Sequence, residues 1–377
     1  MQKLVYLLLT AVLLVACKEQ TAVDTTVATA QSKTVVTHAQ GLKIEHFIGY
    51  SVIEVSTPWP DAKKPFRYAL INDTTIVDRS NFDAVIQVPI KTVVATSTTH
   101  IPSLEMLGAE DRLVGFPFTN YVSSTKTRAL IDAGSIKELG GSQEINTEVL
   151  LALAPELVIG YGVDGTNKNL SLIEKAGIPV IYNGDWMEQS PLGKAEWIKF
   201  FGALLGKQKE ADQLFDQIES DYNQVKEIAS RAKTKPTVIS GAMYKDVWYL
   251  PQGSSWAAAF IHDANGDYLY KDTTGSGSLS LSLETVLTKA QNAEYWIGPG
   301  QFKSLEQMTD ANAAYAGINA FANKKVFSFT KNVGPTGGVI YYELAPNRPD
   351  LVLKDIVKML HPDLLPEYQL HFFSPLD

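Results

Sequence analysis

One segment without Pro or Gly, residues 207–232, constrains the fold of this chain more than any other feature. Apolar side chains such as Phe215, Ile218 and Tyr222 recur along it at helical spacing, while polar and charged side chains fill the remaining positions. The pattern predicts a single amphipathic helix, which at 1.5 Å per residue would span roughly 35–40 Å, about the width of a small domain. We therefore expect one stiff helix to join the parts of the chain on either side.

Segments with strand and helix character alternate on both sides of this helix. The buried-strand runs are residues 92–96, 113–115, 157–159, 180–182, 237–239, 295–297 and 326–329. Strands that alternate with helices form parallel sheets through βαβ units. The sequence thus predicts an α/β fold of two lobes with parallel-type central sheets, joined by one long rigid helix. Short β-type alternations before residue 92 predict an additional β-rich segment, antiparallel and packed on the first lobe.

These patterns also predict the domain organisation. Residues 1–16 are assigned to a signal peptide, 17–37 to a lipid-anchored flexible tether, 38–91 to the β-rich segment, 92–190 to the N-terminal lobe, 191–235 to a helical linker that contains the long helix, and 236–377 to the C-terminal lobe. A chain of 377 residues is long enough for two domains with separate cores.

The start of the chain has the pattern of an export signal. Lys3 supplies positive charge, and residues 4–15 form an apolar run that is too short to span a membrane. The run ends in Leu14-Val15-Ala16-Cys17, which is similar to a bacterial lipobox, where cleavage precedes the cysteine and lipid is attached to its thiol. The alternative is a chance cysteine in an ordinary signal peptide. Cys17 is the only cysteine, so no intrachain disulfide can form.

Composition and missing motifs argue against several functions. The net charge of −8 argues against a surface that binds nucleic acid or an anionic membrane. The sequence has no Gly-x-Ser-x-Gly, His-Glu-x-x-His or Walker motif, and its six histidines lack the spacing of metal ligands. We therefore expect no catalysis and no metal site of the protein's own.

A glycine motif offers a different interpretation. Gly160, Gly162 and Gly165 form Gly-x-Gly-x-x-Gly after a strand, and Asp185 follows downstream, which on paper matches the dinucleotide-binding fingerprint. The unit lies in the middle of the predicted lobe, and an exported chain is an unusual setting for a nicotinamide enzyme. We favour a glycine loop at the carboxyl end of a strand, the position where open α/β sheets place ligands.

Aromatic side chains crowd the predicted strand-end loops, and polar groups lie near them. The predicted ligand-binding residues are Thr99, His100, Phe116, Tyr121, Tyr161, Trp186, Tyr244, Trp248, Trp256, Phe302, Asn332 and Tyr341. Aromatic faces suit a large, partly apolar ligand in a cleft between the lobes, and the scarcity of arginine disfavours a highly anionic one. The alternative for each aromatic residue is packing in the core or at its rim.

Glu148 and Glu284 occupy the first turns of two equivalent predicted helices, one in each lobe. A carboxylate there is stabilised by the positive end of the helix dipole, which is a sufficient explanation by itself. The alternative is a matched pair of exposed carboxylates that docks on basic pockets of a partner protein.

Several short motifs join these features between residues 92 and 360. They are Thr98-Thr99-His100-Ile101-Pro102, Leu107-Gly108-Ala109, Val114-Gly115, Gly140-Gly141, Asn146-Thr147-Glu148 and Leu153-Ala154-Pro155-Glu156-Leu157-Val158-Ile159. With the single long helix, they make the chain resemble the substrate-binding lipoproteins of ABC importers, in the class that binds ferric siderophores, haem and cobalamin.

The resemblance implies a monomeric, non-catalytic, lipid-anchored periplasmic protein that captures a ferric siderophore or similar iron complex and delivers it to a permease in the inner membrane. It implies that Glu148 and Glu284 pair with permease arginines, and that the protein has no cofactor because its ligand carries the chelated metal. Cobalamin or haem is the alternative ligand; an exported enzyme or a surface lipoprotein that reuses the fold is the alternative of another class. The chain departs from this class in its longer β-rich segment and in long loops at residues 115–140 and 241–275.

Overall fold

The computed structural model describes residues 31–72, 75–140, 145–162 and 167–377. The predicted signal peptide, the lipidation site Cys17 and the first part of the tether lie outside the described residues, as do Gly141 and residues 163–166 of the glycine motif. None of the helices within the described ranges combines the length and the hydropathy that a membrane span requires.

A five-stranded sheet forms from the first described residues. Its strands lie side by side in chain order as β1 (Ser32–Lys33), β2 (Leu42–His46), β3 (Tyr50–Val55), β4 (Phe66–Ile71) and β5 (Ala84–Gln87). Neighbours are antiparallel except β4 and β5, which are parallel, so the prediction of a fully antiparallel segment is wrong at its last strand. A tight hairpin would have made this pair antiparallel, but the connection between them returns β5 to the direction of β4.

The N-terminal lobe contains a five-stranded sheet in which all neighbours are parallel. In spatial order its strands are β10 (Val180–Tyr182), β9 (Leu157–Gly160), β6 (Val93–Ala95), β7 (Leu113–Phe116) and β8 (Lys137–Glu138). The helices of this lobe are α1 (His100–Met106), α2 (Thr125–Asp132), α3 (Thr147–Leu153) and α4 (Lys168–Lys175). The first sheet packs on this lobe, where the backbone N–H of Tyr182 donates to the hydroxyl of Tyr68 at 3.0 Å.

Three helices follow and form the linker: α5 (Pro191–Glu196), α6 (Ile198–Leu205) and α7 (Gln208–Ser230). Gly206, with φ of 69°, ends α6 in the left-handed conformation that glycine adopts readily. Two buried carboxylates of this region bind the backbone of residues 37–41, which precede β2. Glu196 accepts hydrogen bonds from the backbone N–H of Thr37, His38 and Ala39 at 2.7–3.1 Å. Glu188 accepts hydrogen bonds from the backbone N–H of Gln40 and Gly41.

The C-terminal lobe has a larger and a smaller sheet. The larger one has the order β14 (Asp267–Tyr268), β11 (Thr237–Ser240), β16 (Tyr295–Ile297), β17 (Val326–Ser328) and β18 (Ser374–Pro375), of which only β18 is antiparallel. The smaller, antiparallel sheet consists of β12 (Ala242–Tyr244), β13 (Val247–Pro251) and β15 (Ser278–Leu281). The helices are α8 (Trp256–Asp263), α9 (Leu283–Ala290), α10 (Leu305–Ala311), α11 (Asn319–Ala322), α12 (Ile340–Leu344) and α13 (Pro349–Leu360).

The long helix α7 belongs to the cores of both lobes. In its N-terminal half, Phe215 and Ile218 join the core of the first lobe and its β-rich sheet. In its C-terminal half, Tyr222, Val225 and Ala229 join the core of the second lobe. The helix packs against α6 on one side of the molecule and against α13 on the other. One buried stripe thus ties two α/β lobes to a single 23-residue helix, which confirms the predicted fold class.

Candidate functional site

A cavity of about 850 Å³ lies within the C-terminal lobe. The hairpin of β12 and β13 forms one wall, α8 forms a second, and the loop after β16 and helix α12 complete it. Its aromatic lining comprises Tyr244, Tyr249, Trp256, Phe260, Phe302, Phe329, Tyr341, Tyr342 and Phe373. A cavity of this size and composition fits a compact ligand with a large apolar surface.

Ring contacts make one side of the cavity rigid. Tyr341 stacks on Phe329 with ring centroids 4.3 Å apart, and it also meets Trp256 at 5.9 Å and Phe373 at 5.5 Å. Burial raises the pKa of the Tyr341 hydroxyl well above its usual range, so this wall stays neutral. Behind Trp256, the ammonium group of Lys194 lies 5.3 Å from the ring centroid. These contacts hold the aromatic faces in place before a ligand arrives.

The lining is electrically neutral. No Asp, Glu, Lys, Arg or His is among the described residues that form the cavity wall. Its polar side chains are hydroxyls and amides, such as Tyr342 and Gln301, whose oxygen and nitrogen atoms lie 3.2 Å apart. A ligand with several net charges would lose its hydration on entering the cavity and would find no opposite charge in the wall. This uncompensated desolvation costs free energy. The wall therefore favours a ligand of low net charge.

Four predicted ligand-binding residues line this cavity: Tyr244, Trp256, Phe302 and Tyr341. Trp248 lies one layer deeper, fully buried, stacked on Trp296 with centroids 5.2 Å apart. Asn332 is used inside its own lobe, since its side-chain amide donates to the carbonyls of His371 and Phe372. Ligand contacts by these two residues stay predictions, and the structure gives both of them packing roles.

The predicted residues of the N-terminal lobe do not join the cavity. Tyr161 and Trp186 contact each other with ring centroids 5.7 Å apart, and the indole N–H of Trp186 donates to the carbonyl of Pro58. Phe116 is buried in the core of its lobe, whereas Tyr121 is exposed. We expected a single cleft lined by aromatic residues from both lobes. This cavity differs from that expectation, because its wall comes from the C-terminal lobe alone.

His100 occupies a buried position at the start of α1. Its ring packs against Phe201 with centroids 5.7 Å apart, and neither ring nitrogen has a hydrogen-bond partner among the described residues. Burial lowers the pKa of His100 to about 4, although the nearby carboxylate of Asp185 opposes this shift. The imidazole is therefore neutral at physiological pH. The neighbouring Thr99 contacts the other lobe through its backbone carbonyl, which accepts from the side-chain amide of Asn347 at 2.9 Å.

A cluster of hydrogen bonds fastens the two lobes beside the cavity. The carboxylate of Glu343 on α12 accepts from the backbone N–H of Ser123 at 2.7 Å and of Ser124 at 3.0 Å. Burial raises the pKa of Glu343 to about 7, while these N–H donors act in the opposite direction. Three residues beyond the helix end, Asn347 binds α1, since its side-chain oxygen accepts from the hydroxyl of Ser103 at 2.7 Å. Sequence patterns did not predict these hydrogen bonds between the lobes.

Two glycines let the backbones of the two lobes touch. A Cβ on Gly334 would stand 2.5 Å from the Cα of Ser123, and one on Gly338 would stand 2.1 Å from the carbonyl oxygen of Tyr121. Between the glycines, the hydroxyl of Thr336 donates to the carbonyl of Asn120 at 2.9 Å. The loop before α12 therefore seats directly on the N-terminal lobe, and any side chain at either glycine would separate them.

Several wall residues are not among the predicted ligand-binding residues. They are Met243, Phe260, Gln301, Gln307, Phe329, Ile356 and Phe373. Phe329 lies inside residues 326–329, an apolar run that predicts a buried strand, and a fully apolar wall has the same composition as a core. Only the density of aromatic residues after residue 240 could have drawn attention to them.

Glu148 and Glu284 have matching positions in the two lobes. Both are exposed in the first turn of a helix, α3 and α9, whose N-cap side chain accepts from a backbone N–H: Asn146 at 3.1 Å and Ser282 at 3.3 Å. Hydrogen bonds from its own backbone and from Ser282 lower the pKa of Glu284. Each carboxylate is therefore available to a partner. Among the described residues, no cluster of three or more His, Cys, Asp or Glu could hold a metal ion.

The fold and the cavity together define a two-lobed binding protein with a preformed, neutral site. The family model for periplasmic binding proteins matches residues 93–333, which is more than half of the chain. The chain therefore belongs to the periplasmic binding protein family, whose members bind substrates and do not transform them.

Known relatives agree with this assignment. An uncharacterised lipoprotein of Methanocaldococcus jannaschii is 27% identical over 300 residues, which cover 77% of this chain and 69% of that protein. An uncharacterised ABC transporter substrate-binding lipoprotein of Bacillus subtilis is 28% identical over 162 residues, or 42% of this chain and 48% of that one. The crystal structure of a possible iron-binding, periplasmic solute-binding protein from Staphylococcus epidermidis has a TM-score of 0.55 at 18% identity, over 72% of this chain and 99% of that chain. The last of these shows a shared fold.

Proposed function

We propose that this protein captures a ferric siderophore or a similar iron complex of low net charge and delivers it to the permease of an ABC importer. The observation that supports the ligand class is the cavity of about 850 Å³, which is aromatic and free of charged side chains among the described residues that line it. The transport role is supported by the two similar proteins from Bacillus subtilis and Staphylococcus epidermidis, which are described as an ABC transporter substrate-binding lipoprotein and a possible iron-binding protein.

The neutral wall ranks candidate ligands by charge. A ferric hydroxamate hides its metal inside an envelope of low net charge, so the aromatic faces can bind it with little loss of hydration free energy. A ferric tris-catecholate is highly anionic and would find no cation on the wall, and the two carboxylates of haem would face the same difficulty. Cobalamin is the second candidate, because its large apolar ring and low net charge also suit the cavity.

Fluorescence titration tests this ranking. Trp256 lies in the cavity wall and Trp248 is buried in the same lobe, so a bound iron chelate should quench tryptophan emission. We expect a ferric hydroxamate to quench at lower concentration than a ferric tris-catecholate or haem. The same ligands added to free tryptophan are the control for inner-filter effects. Preferential quenching by cobalamin would select the second candidate. No response to any of these ligands would reject the proposed function.

We propose that Glu148 and Glu284 dock on the permease. Their support is their exposure and their equivalent positions in the first turns of α3 and α9, one in each lobe. Glu148→Ala and Glu284→Ala should leave ligand binding intact and reduce uptake in cells. The matched control is Glu306→Ala, because Glu306 is also exposed in the first turn of a capped helix, α10. An equal loss of uptake with the control would reject docking by the specific pair.

We further propose a lipid anchor on Cys17 and a periplasmic, membrane-bound location for the monomer. The lipobox-like residues 14–17 support it, as does the lipoprotein description of the Methanocaldococcus jannaschii relative. Metabolic labelling with a radioactive fatty acid should mark the wild-type protein and leave Cys17→Ser unmarked. Equal labelling of the wild-type protein and Cys17→Ser would show that the lipid is attached to a residue other than Cys17.

A further inference from the structure

The three most exposed large apolar side chains of the described residues all belong to the N-terminal segment: Ile76 at 97% exposure, Ile48 at 79% and Val35 at 69%. They are aliphatic, whereas most of the exposed apolar residues in the two lobes are aromatic. None of the three lines the ligand cavity. Aliphatic side chains that are left in water this fully, on a protein whose binding site is elsewhere, point to a separate contact surface.

Ile48 lies at the tip of the hairpin between β2 and β3. The backbone N–H of Phe47 donates to the carbonyl of Tyr50 at 2.8 Å, and Gly49 has φ of 81°, so Ile48 and Gly49 form a two-residue turn. Such turns normally carry Asn, Asp or Gly, because these residues suit the backbone and the water around it. The rings of Phe47 and Tyr50 stack beneath the turn at 4.8 Å and stiffen it.

Ile76 stands next to this turn. The hydroxyl of Thr75 donates to the carbonyl of Gly49 at 2.7 Å, which fixes the loop that carries Ile76 against the hairpin. Two exposed isoleucines, Ile48 and Ile76, thus project from one end of the sheet, and we refer to this pair as the aliphatic tip. A pair on a stiff support loses less conformational freedom on insertion than two residues on a mobile loop.

The chain enters the fold at the same end. The backbone N–H of Gln31 donates to the carbonyl of His46 at 2.8 Å, and β1 pairs antiparallel with β2 from Ser32 opposite His46. His46 lies two residues before Ile48. Cys17 lies only fourteen residues before Gln31, so a lipid on it would be at most about 50 Å from Gln31, at 3.3–3.6 Å per residue.

We propose that the aliphatic tip inserts into the surface of the lipid bilayer that holds the anchor. This inference rests on the lipid anchor proposed above for Cys17. The anchor supplies a high local concentration of bilayer, and the tip adds apolar contact, so the two act as linked binding sites. A second contact beside the tether also restricts the directions in which the body of the protein can point from the membrane.

Fluorescent labelling of the lipidated full chain tests the inference. Because Cys17 is the only cysteine and its thiol would carry lipid, Ile48→Cys provides a single free thiol for an environment-sensitive nitrobenzoxadiazole dye. In phosphatidylcholine vesicles we expect a blue shift of the dye and quenching by lipids with a nitroxide near the headgroup, both insensitive to salt. Adding Ile76→Ser should reduce both signals. The matched control is Leu172→Cys, an exposed aliphatic position on α4.

The outcomes separate the anchor from the tip. Failure of the unlabelled wild-type protein to float with the vesicles would reject the anchor. Flotation with an unshifted dye at position 48 would reject the tip and leave the anchor standing. An equal shift at position 172 would show unspecific adsorption, and a shift that rises with protein concentration without vesicles would show contact between proteins; either result would overturn the inference.

Discussion

The carboxylate of Glu343 accepts a hydrogen bond from the backbone N–H of Ser123 at 2.7 Å, and this bond crosses from one lobe to the other. Glu343 is buried on the same short helix, α12, that carries the cavity residues Tyr341 and Tyr342. The fastening of the lobes and the wall of the binding site therefore share one element, and changes at this carboxylate should be felt in both.

Glu343→Ala should destabilise the protein. The substitution leaves the buried backbone N–H of Ser123 and the partly buried one of Ser124 without this acceptor, which costs about 2 kcal/mol in the free energy of unfolding. Urea denaturation followed by circular dichroism measures the change. Glu306→Ala, at an exposed position, is the control and should change stability by less than about 0.5 kcal/mol. Equal effects of the two variants would contradict the role of the fastening.

Glu343 should also make stability fall as pH rises. Its pKa is about 7 in the folded protein, above the ordinary 4.5, so between these values the unfolded chain releases the proton while the folded one retains it. The contribution amounts to a loss of about 3 kcal/mol in unfolding free energy from pH 4.5 to 7. In Glu343→Gln this loss should disappear, which a series of urea unfolding curves across that range would detect; an unchanged profile would contradict it.

His100 should act in the opposite direction. Its pKa is about 4 in the folded protein, below the ordinary 6.5, so on acidification the unfolded chain takes up a proton that the folded chain refuses. Stability is then fully present above pH 6.5 and falls by about 3 kcal/mol as the pH drops to 4. His100→Leu should remove this loss, whereas His262→Gln, at an exposed position, should retain it. The wild-type profile should be flatter than that of either Glu343→Gln or His100→Leu.

The cavity makes a prediction about two equally exposed aromatic residues. Tyr342, 48% exposed, lines the cavity, whereas Phe118, 45% exposed, lies on the N-terminal lobe outside it. Tyr342→Ala should weaken binding of the preferred ligand by about tenfold, since a lost aromatic contact of 1–1.5 kcal/mol corresponds to that factor. Phe118→Ala should leave the affinity unchanged. If Phe118→Ala reduced the affinity more than Tyr342→Ala, the ligand would bind in the space between the lobes and not in this cavity.

The fold followed from the sequence because its signals are local and periodic. The stripe of α7 lies within one segment, and each buried strand of the parallel sheets forms its own apolar run. The hairpin of β12 and β13 and the short helix α12 were missed, because each has few residues and its position is decided by packing against the aromatic wall.

The sequence predicted the chemical character of the site, but only some of the residues that line it. Aromatic density after residue 240 indicated an apolar ligand, and Tyr244, Trp256, Phe302 and Tyr341 do line the cavity. Whether an aromatic residue faces a cavity or a core depends on contacts with segments far along the chain, which periodicity does not contain. The bond from Ser123 to Glu343 spans 220 positions, and no local pattern encodes it.

The seating of Gly334 and Gly338 on the opposite backbone has one more consequence. Tyr341, which a cargo would contact, lies on α12 with the carboxylate that binds the neighbouring half of the molecule, and we expect any strain on this helix to reach that carboxylate. A loaded and an unloaded copy would then differ on their outer faces as well as inside. If the proposed permease touches both lobes at once, it would distinguish the ligand-bound protein from the ligand-free one.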